Sequence, residues 1–246
     1  MISVPGAVCG MIATALLAAG CASAPETRFY TLSDPPQSSE PKDFLPRSLP
    51  SSSSPGPIFI DVMPVTVPER LARPQLVVRT KGQETQLFIL EQERWSSHFN
   101  YELRDAFATR IANQIGAINE TRGSRSPDQP GYRIAIELSK FDAIVGDQVQ
   151  ARFGWTITRT TDGRNAACYS TLSEPVSGGI GGVVKGVQRM VSRVAADISR
   201  NLIELDTGLA ATCVAPTRKD SLIDAASSLI GSNWPSPDKT YTFDRL

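Results

Sequence analysis

Few residues in this chain carry reactive side chains, and their spacing argues against catalysis. There is one histidine, His98, and four cysteines, Cys9, Cys21, Cys168 and Cys213. A lone imidazole cannot be half of a helical zinc pair, and Cys168 with Cys213 cannot close a zinc site. A nucleophilic serine on an elbow would show as G-x-S-x-G, which does not occur. The cluster Gly178-Gly179-Ile180-Gly181-Gly182 precedes a helical pattern, where a phosphate cradle would sit. Counted from Gly179, the last glycine of G-x-G-x-x-G is Val184, and no Gly-Lys-Ser/Thr follows, so the cluster reads as a flexible loop. Asn119-Glu120-Thr121 is a formal glycosylation sequon without meaning for most bacterial exports. No catalytic residue, metal or cofactor is expected. A periplasmic hydrolase with an unrecognised site is the enzymatic rival.

The thiol with a chemical prospect is Cys21. Met1 to Gly20 contain no Asp, Glu, Lys or Arg, and the apolar stretch Met11 to Ala19 is shorter than the ~20 residues that span a bilayer. A short apolar region followed by small residues is the form of a signal peptide, here residues 1–20. Leu16-Leu17-Ala18-Ala19-Gly20-Cys21 resembles the lipobox, whose cysteine is acylated through its nucleophilic sulfur. It departs from that pattern in having Ala18, with Leu17 one further back, where a large aliphatic residue is usual. The leading segment also lacks a basic residue. Cys9 follows Val8 rather than a small residue, so Cys21 is the expected lipidation site. Ala22 is not the Asp that commonly retains lipoproteins at the inner membrane of enteric bacteria. Outer-membrane residence facing the periplasm is therefore expected.

The 25 acidic and 25 basic residues cancel. Nucleic-acid binders carry a basic surplus, so that class is excluded, and there is no polybasic membrane patch. In an oxidising periplasm Cys168 and Cys213 can pair as a disulfide, or remain two buried thiols.

Proline and serine dominate from Pro35 to Pro57. Such a segment cannot offset its chain entropy by burial, so 21–57 is expected to be a lipidated N-terminus with a short strand, Arg28 to Leu32, and a disordered stretch. The folded domain is expected over 58–206. Ile58 to Val62, Gln75 to Thr80 and Thr85 to Leu90 read as strands, with Lys81-Gly82-Gln83 as a turn. Trp95, Phe99, Leu103, Phe107, Ile111 and Ile115 recur every four residues, one face of a helix. Tyr132 to Leu138, Val149 to Thr161 and Ala166 to Leu172 alternate as strands, with a hairpin turn at Thr161 to Arg164. Val183 to Leu205 carries a second helical stripe, with Lys185, Arg189, Arg193 and Arg200 off it. Two amphipathic helices can cover one face of a mixed, largely antiparallel sheet, which predicts a two-layer α+β sandwich. Residues 207–246 form a tail with a weak helical segment, Leu222 to Ile230, and a terminal Tyr241-Thr242-Phe243.

The most specific sequence is Val62-Met63-Pro64-Val65-Thr66-Val67-Pro68-Glu69-Arg70-Leu71-Ala72-Arg73-Pro74-Gln75. Pro68 and Pro74 hold the residues before them extended, so Arg70, Arg73 and Gln75 are presented on a stiff loop. With Cys21, Tyr30 and Leu32, and with Arg94-Trp95, it resembles the ABC-type transport auxiliary lipoprotein family, the group containing the PqiC lipoproteins. The resemblance spans roughly Cys21 to Leu205; Arg70 stands where the family often has an aromatic residue. It implies a non-enzymatic accessory subunit of an MCE-type system moving lipids between membranes, supporting envelope integrity. The implied partners are an MCE-domain protein, the membrane through the lipid anchor, and a further copy of the chain if it assembles. Arg70, Arg73 and Gln75 are the candidate partner-binding residues. The rival reading is a structural envelope lipoprotein that binds peptidoglycan or an outer-membrane partner.

Overall fold

The computed structural model describes residues 25–33, 58–83, 85–120, 129 and 131–213. Cys21, the Pro/Ser-rich segment and the tail elements expected at Leu222 to Ile230 and Tyr241 to Phe243 lie outside them.

Alternation of apolar and polar residues builds one eight-stranded sheet among the described residues. Its strands are β1 Arg28–Tyr30, β2 Phe59–Val62, β3 Gln75–Thr80, β4 Phe88–Trp95, β5 Ile118–Asn119, β6 Gly131–Val145, β7 Gln148–Arg159 and β8 Asn165–Pro175. The meander β6-β7-β8 is antiparallel. The other edge of the long β6 is shared: β2 pairs with it in parallel near Ile134, and β3 near Ile144. β4 pairs antiparallel with β3, and β1 parallel with β4.

Helix α1 (Phe99–Ile115) and helix α2 (Ile180–Asp206) cover one face. Tyr132, Ile134, Ile136 and Leu138 of β6 and Val149, Ala151, Phe153, Trp155 and Ile157 of β7 point into this layer and are buried. Phe107 of α1 meets the edge of Phe153 at 5.6 Å between ring centroids. All nine stripe residues expected on the second helix, from Val183 to Leu205, are buried. The structure is thus the expected two-layer α+β sandwich, with the opposite sheet face uncovered by any described element.

Five boundaries differ from expectation. Trp95 closes β4 instead of opening the helix, because His98 is extended (φ −61°, ψ 140°) and caps α1. The four-residue spacing reflects a stack across the strand–helix junction, Trp95 on Phe99 at 5.0 Å. β4 also begins three residues later than expected and runs five further. Its register against β3 jumps between Gln75 and Leu76, so the periodicity is broken.

The glycine cluster is not a loop throughout. Gly179 caps α2, and Gly181 and Gly182 lie inside its first turn. A Cβ on Gly182 would come 2.1 Å from the Ser177 carbonyl oxygen, and one on Gly186 would come 2.5 Å from Val176 Cγ1. These glycines let the helix approach the chain leaving β8.

β1 is not a separate piece ahead of the body. Leu32, just beyond it, is fully buried, and Glu102 and Arg110 of α1 take its backbone N–H and carbonyl. The body therefore starts at β1, and the Pro/Ser-rich segment connects two strands of the sheet rather than tethering the domain. Nor does the body end at Asp206. Glu204 accepts the Thr212 N–H at 2.7 Å, Asn201 donates to the Thr212 carbonyl at 3.0 Å, and Cys213 is bonded to Cys168.

Candidate partner-docking site

After Val62 the chain keeps to the edge of β6. Met63 donates to Ile134 at 3.0 Å and Thr66 to Ile136 at 2.9 Å, which sets the direction in which the proline segment departs. Glu69–Leu71 then form a 3-10 turn. Leu71 is its buried plug, while Glu69 and Arg70 are exposed. The far end of the loop is fastened by backbone bonds: the Trp95 N–H donates to the Pro74 carbonyl at 2.7 Å, and the Phe99 N–H to the Arg73 carbonyl at 3.4 Å.

Residues far apart in sequence converge here. Gln75 registers with Arg94, Phe29 with Arg94, and Tyr30 with Trp95. Tyr30, Arg73-Pro74-Gln75 and Arg94-Trp95 thus form one corner of the sheet beside the start of α1. Three extra residues of β4, Glu91, Gln92 and Glu93, bulge out between the two stretches of pairing. Arg94 Nε donates to the Glu91 carbonyl at 2.8 Å, and its Nη2 meets Glu91 Oε2 at 3.2 Å. Gln75 Nε2 donates to that same carboxylate at 3.2 Å. Tyr30 Oη donates to Glu93 at 2.6 Å; burial, then this carboxylate, raises the phenol's pKa.

The three candidate residues differ in what they have left to offer. Gln75 is committed to Glu91. Arg70 is exposed and makes no side-chain hydrogen bond or ion pair with described residues. Arg73 is half-buried, and its Nε is enclosed with no acceptor. No described carboxylate pairs with it. A buried guanidinium N–H without an acceptor costs free energy in the isolated fold, and an incoming acceptor recovers it. Beneath the loop, Leu71, Leu76, Trp95, Phe99, Phe141 and Val183 line a cavity of only about 10 Å³. That is room for one water at most, so anything recognised here is met from outside.

His98 stands exposed at the α1 cap, with no side-chain cap bond. Among the described residues no three His, Cys, Asp or Glu side chains converge as a metal site, and no helix is long and apolar enough to cross a membrane. The residues that organise the corner and went unnoticed in the sequence are Glu91, Glu102 and Arg110. A carboxylate and a guanidinium on the apolar face of α1 were the available signal for the last two.

The model of the ABC-type transport auxiliary lipoprotein component family matches residues 30–199. That span runs from the converging corner to the last third of α2. No curated protein matches the chain. Among solved structures, an uncharacterized protein superposes with a TM-score of 0.53 at 16% identity, covering 72% of this chain and 99% of its own. Protein XCC0632 from Xanthomonas campestris superposes with a TM-score of 0.49 at 13% identity, covering 64% and 91%. At 16% identity the first of these likenesses is one of fold.

Proposed function

This chain belongs to the ABC-type transport auxiliary lipoproteins, and from that premise we propose that it is a non-enzymatic, periplasm-facing subunit of an MCE-type system moving lipid between inner and outer membranes. Cys21 carries the acyl chains and holds the body at the outer membrane. Arg70 and Arg73, on the loop from Pro68 to Gln75, dock an MCE-domain partner.

The observation that carries the docking role is Arg73, whose enclosed Nε lacks an acceptor on a loop fixed by backbone bonds at Trp95 and Phe99. A stiff loop loses little entropy on association, and arginine is prominent among residues that carry interface energy.

The test is crosslinking of the native protein from position 70, followed by identification of what is attached. Recovery of an MCE-domain protein supports the proposal. Peptidoglycan fragments alone would make the chain a structural envelope lipoprotein, and the chain itself alone would make the loop a self-assembly surface. The anchor is tested separately: Cys21→Ala should leave the outer-membrane fraction, and retention there after high-salt washing would refute lipidation.

A further inference from the structure

The geometry points to a membrane-facing surface on the folded body: Phe29 with Leu87 and Ile89, lying against the bilayer that the acyl chains of Cys21 enter. This rests on the proposed anchoring at Cys21.

The chain is held from Thr27 onward, where Thr27 Oγ1 donates to Gln92 at 2.7 Å and β1 begins one residue later. Six residue steps separate Cys21 from Thr27, which span at most about 22 Å when fully extended. The body therefore cannot stand far from its membrane. Its orientation follows from the strand pairing. β1 runs parallel to β4, and β4 starts from the β3–β4 connection. The chain ahead of β1 thus runs back along β4 toward that connection, from Phe29, which lies in the row where the Pro68 to Gln75 loop ends.

Phe29, Arg94 and Gln75 share one row across the sheet, and Val77 and Ile89 another. Gln75 and Val77 are two residues apart on β3, so both rows face the same way, away from the helices. Leu87 continues that parity ahead of β4. Phe29 is 66% exposed, Ile89 46% and Leu87 44%. Exposed aromatic and aliphatic side chains on one face, with Phe29 eight residues from the acyl anchor, suit the boundary between headgroups and acyl chains. Lys81, exposed in the connection, adds a cation for anionic headgroups.

The test uses the acylated full-length protein, its modification verified by mass, in vesicles of phosphatidylethanolamine and phosphatidylglycerol with brominated acyl chains. Phe29→Trp and Leu87→Trp report on the patch, and Ile203→Trp on the exposed side of α2 reports on the opposite face. Each variant's fluorescence is read against the wild-type protein. The expected result is strong quenching for the first two variants and little for Ile203→Trp. Equal quenching of all three, or none in protein that sediments with the vesicles, overturns this surface and leaves the anchor intact. Failure of the Cys21-bearing protein to incorporate refutes the anchor, and this inference with it.

Discussion

The backbone N–H of Leu32 donates to Glu102 Oε2 at 3.1 Å, joining residues 70 positions apart. On its other side the Leu32 carbonyl accepts from Arg110 Nη1 at 2.9 Å. Thr31 Oγ1 and the hydroxyls of Ser96 and Ser97 also donate to Glu102, which is only 6% exposed. The carboxylate thus gathers four donors and locks the segment after β1 into the core.

Removing it as Glu102→Ala strands those donors. Of the four only the Leu32 N–H is buried, while Thr31 and Ser96 are exposed and can turn to water; leaving one buried donor unsatisfied costs about 1–3 kcal/mol, and a loss of that size is expected. Chemical denaturation should show the lowered midpoint, and limited proteolysis should cut faster around Thr31. Cleavage there would separate the body from Cys21. A Glu102→Ala protein with wild-type midpoint and cleavage would show that the clamp is dispensable.

Cys168 and Cys213 are bridged, with Cα atoms 5.4 Å apart across a separation of 45 residues. In the chain-entropy model a loop of that length contributes about 4 kcal/mol. Peptide mass spectrometry without reduction should recover the linked pair, and Cys168→Ser with Cys213→Ser should lower the denaturation midpoint accordingly. Free thiols at both positions would contradict the bridge.

Tyr132 supplies the pH prediction. Its phenol is pushed up to about 12, chiefly by burial and then by Asp206, whose carboxylate accepts its hydrogen bond; the Arg159 guanidinium opposes this. The folded state keeps this proton above the unfolded pKa of about 10, so the contribution is complete below pH ~10 and lost as pH rises toward ~12. Stability should fall across that window by up to about 1.4 kcal/mol per pH unit. Comparison of Tyr132→Phe with wild type isolates the slope; identical profiles would contradict it.

The periodic elements were legible because burial imposes period: the stripe of α2 and the alternation of β6, β7 and β8 follow from which residues must leave water. The corner was legible only as a resemblance. Arg73, Gln75 and Arg94 are neighbours because β4 returns antiparallel with three residues looped out, and no local pattern encodes that register. The place of β1 is hidden for a related reason. A three-residue strand earns its place through Tyr30, Leu32 and their partners Glu93, Glu102 and Arg110, all more than sixty positions away.

The last prediction concerns Arg73. Its enclosed Nε has no acceptor among the described residues, so Arg73→Ala removes a desolvated group without breaking a described bond, and the melting temperature should stay near wild type. If the guanidinium meets an acceptor on the partner, its loss at an interface centre costs on the order of 2–3 kcal/mol, about a 30- to 100-fold weaker association. Arg73→Lys should recover little, because an ammonium cannot reproduce the planar fork. Gln75→Ala should be milder, since its amide is already spent on Glu91. Thermal unfolding and co-purification from membranes are the paired measurements, with detergent resistance of a complemented deletion strain as the readout in cells. Unfolding of Arg73→Ala would make the residue a structural one. A folded Arg73→Ala protein that retains its partner would place the contact elsewhere on the body.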